Sequence, residues 1–210
     1  MSTPGPATVT AAAPPAPEDD LPPYVGIDMA RVRLVRSERD AADALAALMG
    51  ADTIGFDTES KPTFAKGEVS TGPHLVQLST DDVAWLFQTA TPAGIALAVP
   101  VLKPVLEAET ILKVGFGLGD DVRRLRAKFG VEIRNVLDLS TALRRRGERN
   151  PLGAKSAVAR FLGRKLQKSK RITTTNWSLP RLSEQQLKYA ADDAHAALRI
   201  YRHWRANPPA

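Results

Sequence analysis

The stretch "TIGFDTES", Thr53–Ser60, sets a short apolar run directly before two acids. Thr53, Ile54 and Phe56 are residues that favour a buried strand. Asp57 and Glu59 share a parity, so on a continuing strand they project from one face. Two carboxylates held that close repel, and one pKa rises unless a cation sits between them. A lone D-x-E is common, and taken alone it is better explained by a solvated strand end, so the meaning of the pair depends on what the rest of the chain brings to it.

Working outward, "VRLV" (32–35) reads as a strand, and Ser37 with Asp40 forms a capping box. The box opens a helix through "AADALAALMG" (41–50), stopped by Gly50. "HLVQLST" (74–80) and "VAWLFQ" (83–88) read as a hairpin turning at Asp81-Asp82. "AVPVLKPVLEAE" (98–109) carries a helix in part, with Pro104 expected to limit it. "TILKVGF" (110–116) is a strand and "GDDVRRLRAKFG" (119–130) a helix ended by Gly130. "VEIRNVLDL" (131–139) leads a strand into a helix over "STALRRRG" (140–147), and "GAKSAVARFLG" (153–163) is a further helix. Residues 164–182 read as an irregular basic loop. A long last helix, "SEQQLKYAADDAHAALRIYRHW" (183–204), starts on a capping box of Ser183 and Gln186. A hairpin beside strands that alternate with helices predicts an α/β fold, a mixed sheet flanked by helices.

Residues 1–23 hold seven of the 16 prolines and almost no large apolar side chains. Such a segment buries too little surface to offset its ordering entropy, which predicts a disordered tail before a single domain over 24–210. The N-terminus has neither the basic start nor the apolar stretch of a secretory signal. No apolar run reaches the roughly 20 residues that span a bilayer, so no membrane partner is expected. The chain has no cysteine, which excludes disulfides and thiolate metal sites and fits a cytoplasmic protein. Net charge is +6, yet residues 123–171 carry 16 Lys and Arg against three acids, leaving −7 on the remainder. That asymmetry points to a polyanionic partner, with the acids reserved for another task.

Two further acidic stretches complete the pattern. In "KVGFGLGDDVRRL" (113–125) the glycines invite a dinucleotide-binding reading, but the fingerprint needs glycine at 120 and Asp120 stands there. Asp120 and Asp121 would repel a pyrophosphate; at a helix start they also suit the helix dipole. In "YAADDAHA" (189–196), Tyr189 and Asp193 are four apart and share a helix face. An acid pair leaving a strand, an acid at the start of a later helix and an acid on the last helix can converge. Four carboxylates without cysteine form a hard oxygen site suited to Mg²⁺ or Mn²⁺. Such a cluster can hold two ions and serve phosphoryl transfer.

With these motifs in order, the chain resembles the DEDD superfamily of 3′–5′ exonucleases, in its DEDDy branch of Werner-type exonuclease and ribonuclease D domains. The resemblance runs from about Val32 to Trp204. "FDTE" matches the first motif and implies Asp57 and Glu59 as metal ligands. "VGFGLGDDVRRL" matches the second and implies Asp121 over Asp120, because the ligand precedes an apolar residue by four. "YAADD" matches the third and implies Tyr189 and Asp193 over Asp192. The histidine branch would place His at 188, where Lys188 stands. Asp138 reads as a helix cap. The fold implied is ribonuclease H-like. The activity implied is hydrolysis of the last phosphodiester of DNA or RNA with a free 3′ end, releasing nucleoside 5′-monophosphates by a two-metal-ion mechanism, with Tyr189 orienting the attacking water. A phenol ionises near 10 in model compounds, too high for a good base at neutral pH.

The alternative is a catalytically silent nucleic-acid-binding member of the same fold. It would normally lack a ligand, and all four acids and the tyrosine are present. Arg144, Arg145, Arg146, Lys168, Lys170 and Arg171 are candidates for phosphate contacts. Trp177 either stacks on a base or pins its loop.

Overall fold

The computed structural model describes residues 20–63, 67–167 and 170–208, without the side chain of Lys170. The expected tail therefore lies outside the described residues, apart from Asp20–Pro23. Of these, Pro22 accepts from the Lys165 backbone amide and Pro23 bridges to Lys165, so the chain is engaged with the rest of the fold before Tyr24.

Six strands form one mixed sheet: β1 (Val32–Leu34), β2 (Thr53–Glu59), β3 (Leu75–Ser79), β4 (Ala84–Gln88), β5 (Leu112–Gly115) and β6 (Val136–Asp138). Their order is β1-β4-β3-β2-β5-β6. β2, β3 and β4 are antiparallel neighbours, and β1, β5 and β6 join in parallel. The hairpin expected at Asp81-Asp82 is β3–β4.

The pleat sorts β2. Ile54 and Phe56 point to one face, where they pack with α1 (Glu38–Met49), α2 (Pro92–Glu107) and Leu125 of α3 (Gly119–Phe129). Gly55, Asp57 and Glu59 point to the other, which is covered by α7 (Glu184–Ala206). Beside α7 lie α4 (Leu139–Ala142) and α5 (Ala154–Leu162), packed on Val114. Both expected capping boxes form, at Ser37/Asp40 and Ser183/Gln186.

Two helix expectations need correction. α2 does not stop at Pro104; it runs from Pro92 through Pro100 and Pro104 to Glu107. The prolines are four apart on the exposed stripe, opposite buried Val101, Leu102, Val105 and Leu106. On an exposed face water can take the place of the missing donors, so the helix continues without breaking. The helix expected over 140–147 ends at Ala142, before the arginines. There Glu148 accepts from the Arg145 amide and pairs with Arg160 at 2.6 Å, closing a turn. Residues 164–182 are irregular as expected, apart from one turn of helix, α6 (Lys170–Thr173).

Lys113 is fully buried in β5. Its Nζ donates to the carbonyls of Ala108, Ile111 and Arg134, all within 2.9 Å. Burial pulls its pKa down to about 8, so the ammonium is charged at neutral pH and staples the α2–β5 connection to the one before β6. Lys113→Met would strand these carbonyls. It should cost about 3 kcal/mol of unfolding free energy in urea titrations, since a buried polar group left unpaired costs roughly 1–3 kcal/mol. Lys113 lies at the end of the sheet away from Asp57, so the surroundings of Asp57 should be unchanged in the folded variant.

Candidate active site

β2 carries Asp57 and Glu59 out on the α7 face because side chains two apart on a strand point the same way. α7 comes close to that face because residue 55 is glycine. A Cβ there would sit 1.9 Å from the Ala194 carbonyl oxygen. The helix thereby presents Asp193 to the strand. Carboxylate oxygens of Asp57, Glu59 and Asp193 all lie within 4.8 Å of one another. Asp193 is buried and the other two are half-buried.

Asp121 is not a member of this trio. It stands in the first turn of α3, and its carboxylate accepts a short hydrogen bond from the Thr58 hydroxyl. Burial pushes its pKa up, opposed by the Thr58 bond and by Arg124 one turn along. Asp120 instead faces solvent and pairs with Arg123 at 2.9 Å.

The second doublet divides in the same way. Asp192 turns away from the trio and anchors the N-terminal segment: its Oδ1 accepts from the Ile27 amide at 3.0 Å and from Lys188 at 2.7 Å. Lys188 also donates to the Ile27 carbonyl. Position 188, the one that separates the histidine from the tyrosine branch, therefore serves this strap. Gly26 makes the contact possible, because a Cβ there would overlap the Asp192 carboxylate at 1.8 Å.

Tyr189 is buried, with its hydroxyl 3.4 Å from Thr173 Oγ1 and its ring 6.1 Å from that of Trp177. Trp177 is completely buried. It cannot stack on a base in this conformation, so the base-stacking reading gives way to the pinning one. Asp138 caps α4 through the Ser140 amide, as expected, and also accepts from the amides of Gly117 and Leu118. Burial opposes its charge, but the Ser140 and backbone donors prevail and hold its pKa low. The glycine-rich turn before Asp121 is thus fastened by a carboxylate, not wrapped round a phosphate.

Sequence reasoning passed over Thr58, Ser60 and Arg124. Arg124 donates to Ser60 Oγ at 3.0 Å, which ties α3 to the residue after Glu59. Its position three residues beyond Asp121, on the same helix face, was the available signal. Arg144, Arg145, Arg146 and Arg171 are exposed. The first three follow β6 and α4, and the C-terminal end of β6 lies at the same end of the sheet as Asp57 and Glu59. Lys168 and the Lys170 side chain lie outside the described residues.

A sequence model for 3′–5′ exonucleases matches residues 32–206. The chain belongs to the 3′–5′ exonuclease family. It is 31% identical over 179 residues to a 3′–5′ exonuclease of Arabidopsis thaliana, covering 83% of this chain and 57% of that one. It is 30% identical over 160 residues to the bifunctional 3′–5′ exonuclease/ATP-dependent helicase WRN of Mus musculus, covering 74% of this chain and 11% of that one. The chain thus spans little more than half of the first relative and about a tenth of the second. Among solved structures, the Aedes aegypti Nibbler EXO domain superposes with a TM-score of 0.68 at 26% identity, over 84% of this chain and 88% of that one. Trypanosoma brucei RNase D does so with a TM-score of 0.74 at 25% identity, over 84% and 65%. The sheet and its flanking helices are ribonuclease H-like, as the motifs implied. Among the described residues no helix is long and apolar enough to cross a membrane.

Proposed function

We propose that this chain is a metal-dependent 3′–5′ exonuclease that removes nucleoside 5′-monophosphates from a nucleic acid with a free 3′ end. One observation carries the reading: in a chain of this family, Asp57, Glu59 and Asp193 bring carboxylate oxygens within 4.8 Å of one another. That spacing suits divalent cations, and the all-oxygen donor set fits Mg²⁺ or Mn²⁺. Asp57, Glu59 and Asp193, with Asp121 beside them, would hold two ions. When bound, such ions supply positive charge against the charge that develops on the attacking and leaving oxygens.

The protein's own groups do the rest. Tyr189, one helical turn before Asp193, directs the attacking water through its hydroxyl. Asp121 is kept near the trio by Thr58 and α3. Arg144, Arg145 and Arg146, with Arg171, lead the strand's phosphates to the end of the sheet that carries the acids.

The direct test is a strand labelled at its 5′ end, offered as DNA, as RNA and as a dinucleotide. Stepwise shortening in Mg²⁺ or Mn²⁺, halted by excess EDTA and by a blocked 3′ end, is the expected outcome. Tight binding with no product in either metal would favour the silent reading. Substrate binding should weaken steeply with added salt, because phosphate contacts release counterions. Reversing the charge at Arg144, Arg145 and Arg146 together should raise KM at least about tenfold and leave kcat within about twofold, while flattening the salt dependence. An unchanged KM would assign this surface to another partner.

A further inference from the structure

Gln77 lies in the middle of β3, with none of its surface exposed. Neither its amide nitrogen nor its amide oxygen has a hydrogen-bond partner among the described residues. A buried amide left without partners costs about 1–3 kcal/mol, and native proteins keep few of them. A leucine or methionine of the same size would remove that cost. Something other than the stability of the metal-free fold therefore accounts for a glutamine here.

Its register locates the task. Gln77 is the direct cross-strand partner of Asp57 in the antiparallel β2–β3 pair. Directly opposed side chains share a face, with Cβ atoms about 4.5–5.5 Å apart. A glutamine amide spans that gap easily. On its other side Gln77 is paired with Leu86 of β4, and Leu75 and Leu86 on this face pack with Trp177, Tyr189 and Ala190. Those neighbours are apolar, whereas the side towards Asp57 leads to the acidic trio. A carboxylate that binds a cation is normally fixed by a hydrogen bond to its remaining lone pairs.

We infer that Gln77 is a positioning residue: when the acidic trio takes up a divalent cation, the Gln77 amide donates to the Asp57 carboxylate and fixes its orientation. This rests on the cation-binding reading of the trio. The orphaned amide is a donor kept in reserve. In the empty site three carboxylates repel one another; in the filled site Asp57 must hold one orientation, and Gln77 supplies it.

Gln77→Met tests this, because it keeps the volume and removes both polar atoms. Mn²⁺ binding is measured by calorimetry on the full chain without nucleic acid, beside thermal unfolding in EDTA. Wild type should bind Mn²⁺. Gln77→Met should bind it about 10–100-fold more weakly, the usual effect of losing an outer hydrogen-bond partner. Its metal-free melting temperature should equal or exceed that of wild type. Gln77→Glu, which keeps the length but offers the Asp57 carboxylate no donor, should not restore the wild-type affinity. Equal Mn²⁺ affinity in wild type and Gln77→Met would overturn the inference and leave the trio's role standing. A lower metal-free melting temperature for Gln77→Met would also overturn it, by giving the amide a plain structural role. No Mn²⁺ binding by wild type would remove the reading on which both rest.

Discussion

Asp57→Ala should abolish hydrolysis, lowering the single-turnover rate by at least about a thousandfold. Charge stabilisation by bound cations is worth several kcal/mol, and each 1.36 kcal/mol is a factor of ten. Asp57 contributes one of the three carboxylates that approach within 4.8 Å, so its loss removes a third of the trio. The fold should survive, because the residue sits half-buried at the open end of β2 and its removal relieves repulsion between like charges. The check is parallel: product formation in Mg²⁺ and Mn²⁺, and circular dichroism with thermal melting in EDTA. Cleavage by the purified variant at even a tenth of the wild-type rate would remove Asp57 from the catalytic set.

Tyr189→Phe should lower kcat by about a hundredfold, the lower end of what a positioned proton-handling or water-orienting group contributes. The ring stays in place against Trp177, so packing is conserved. What disappears is the hydroxyl, which in this conformation is near Thr173 of α6. That contact places the hydroxyl at the joint between α7 and the basic loop, on the same helix face as Asp193. Binding of the strand and the melting temperature should change little. A variant that cuts at the wild-type rate would reduce Tyr189 to a core residue. A variant that loses strand binding in step with kcat would make it a loop anchor.

The sheet was legible in the sequence because its strands are short β-rich apolar runs such as "TIGFD" and "VAWLFQ", the second opened by the Asp81-Asp82 turn, and because capping boxes mark two helix starts. The length of α2 was not. Proline breaks a helix when the orphaned carbonyl is buried, and the side of the helix that Pro100 and Pro104 occupy is settled by tertiary packing. The arginine run likewise looked helical until Glu148 was seen to close a turn beneath it.

At the site, spacing alone could not choose within the Asp120-Asp121 or Asp192-Asp193 doublets. Neighbours on a helix differ by about 100° in direction, and either could have faced inward. The family motifs made the choice, and the structure turns Asp120 to Arg123 and Asp192 to the Ile27 strap. The basic segment was visible as charge, but part of it is spent on neighbours: Arg160 on Glu148, Arg134 on Glu109 and Arg126 on Glu132. Gln77 and Lys113 carried no sequence signal, since the meaning of one lies in the lack of partners and that of the other in backbone carbonyls that the fold gathers round it.

The close seating of α7 on Gly55 makes the helix a gauge laid across the sheet. Asp57 and Glu59 are fixed to each other by one strand's repeat, so only the height of the third acid above that strand is adjustable. The height is set where backbone meets backbone, at a spacing that admits no side chain. The calibration of the acid trio therefore resides in the core, among residues that never meet a substrate. Loops around the rim are free to diverge towards different strands and sequences while the gap between the acids stays the same.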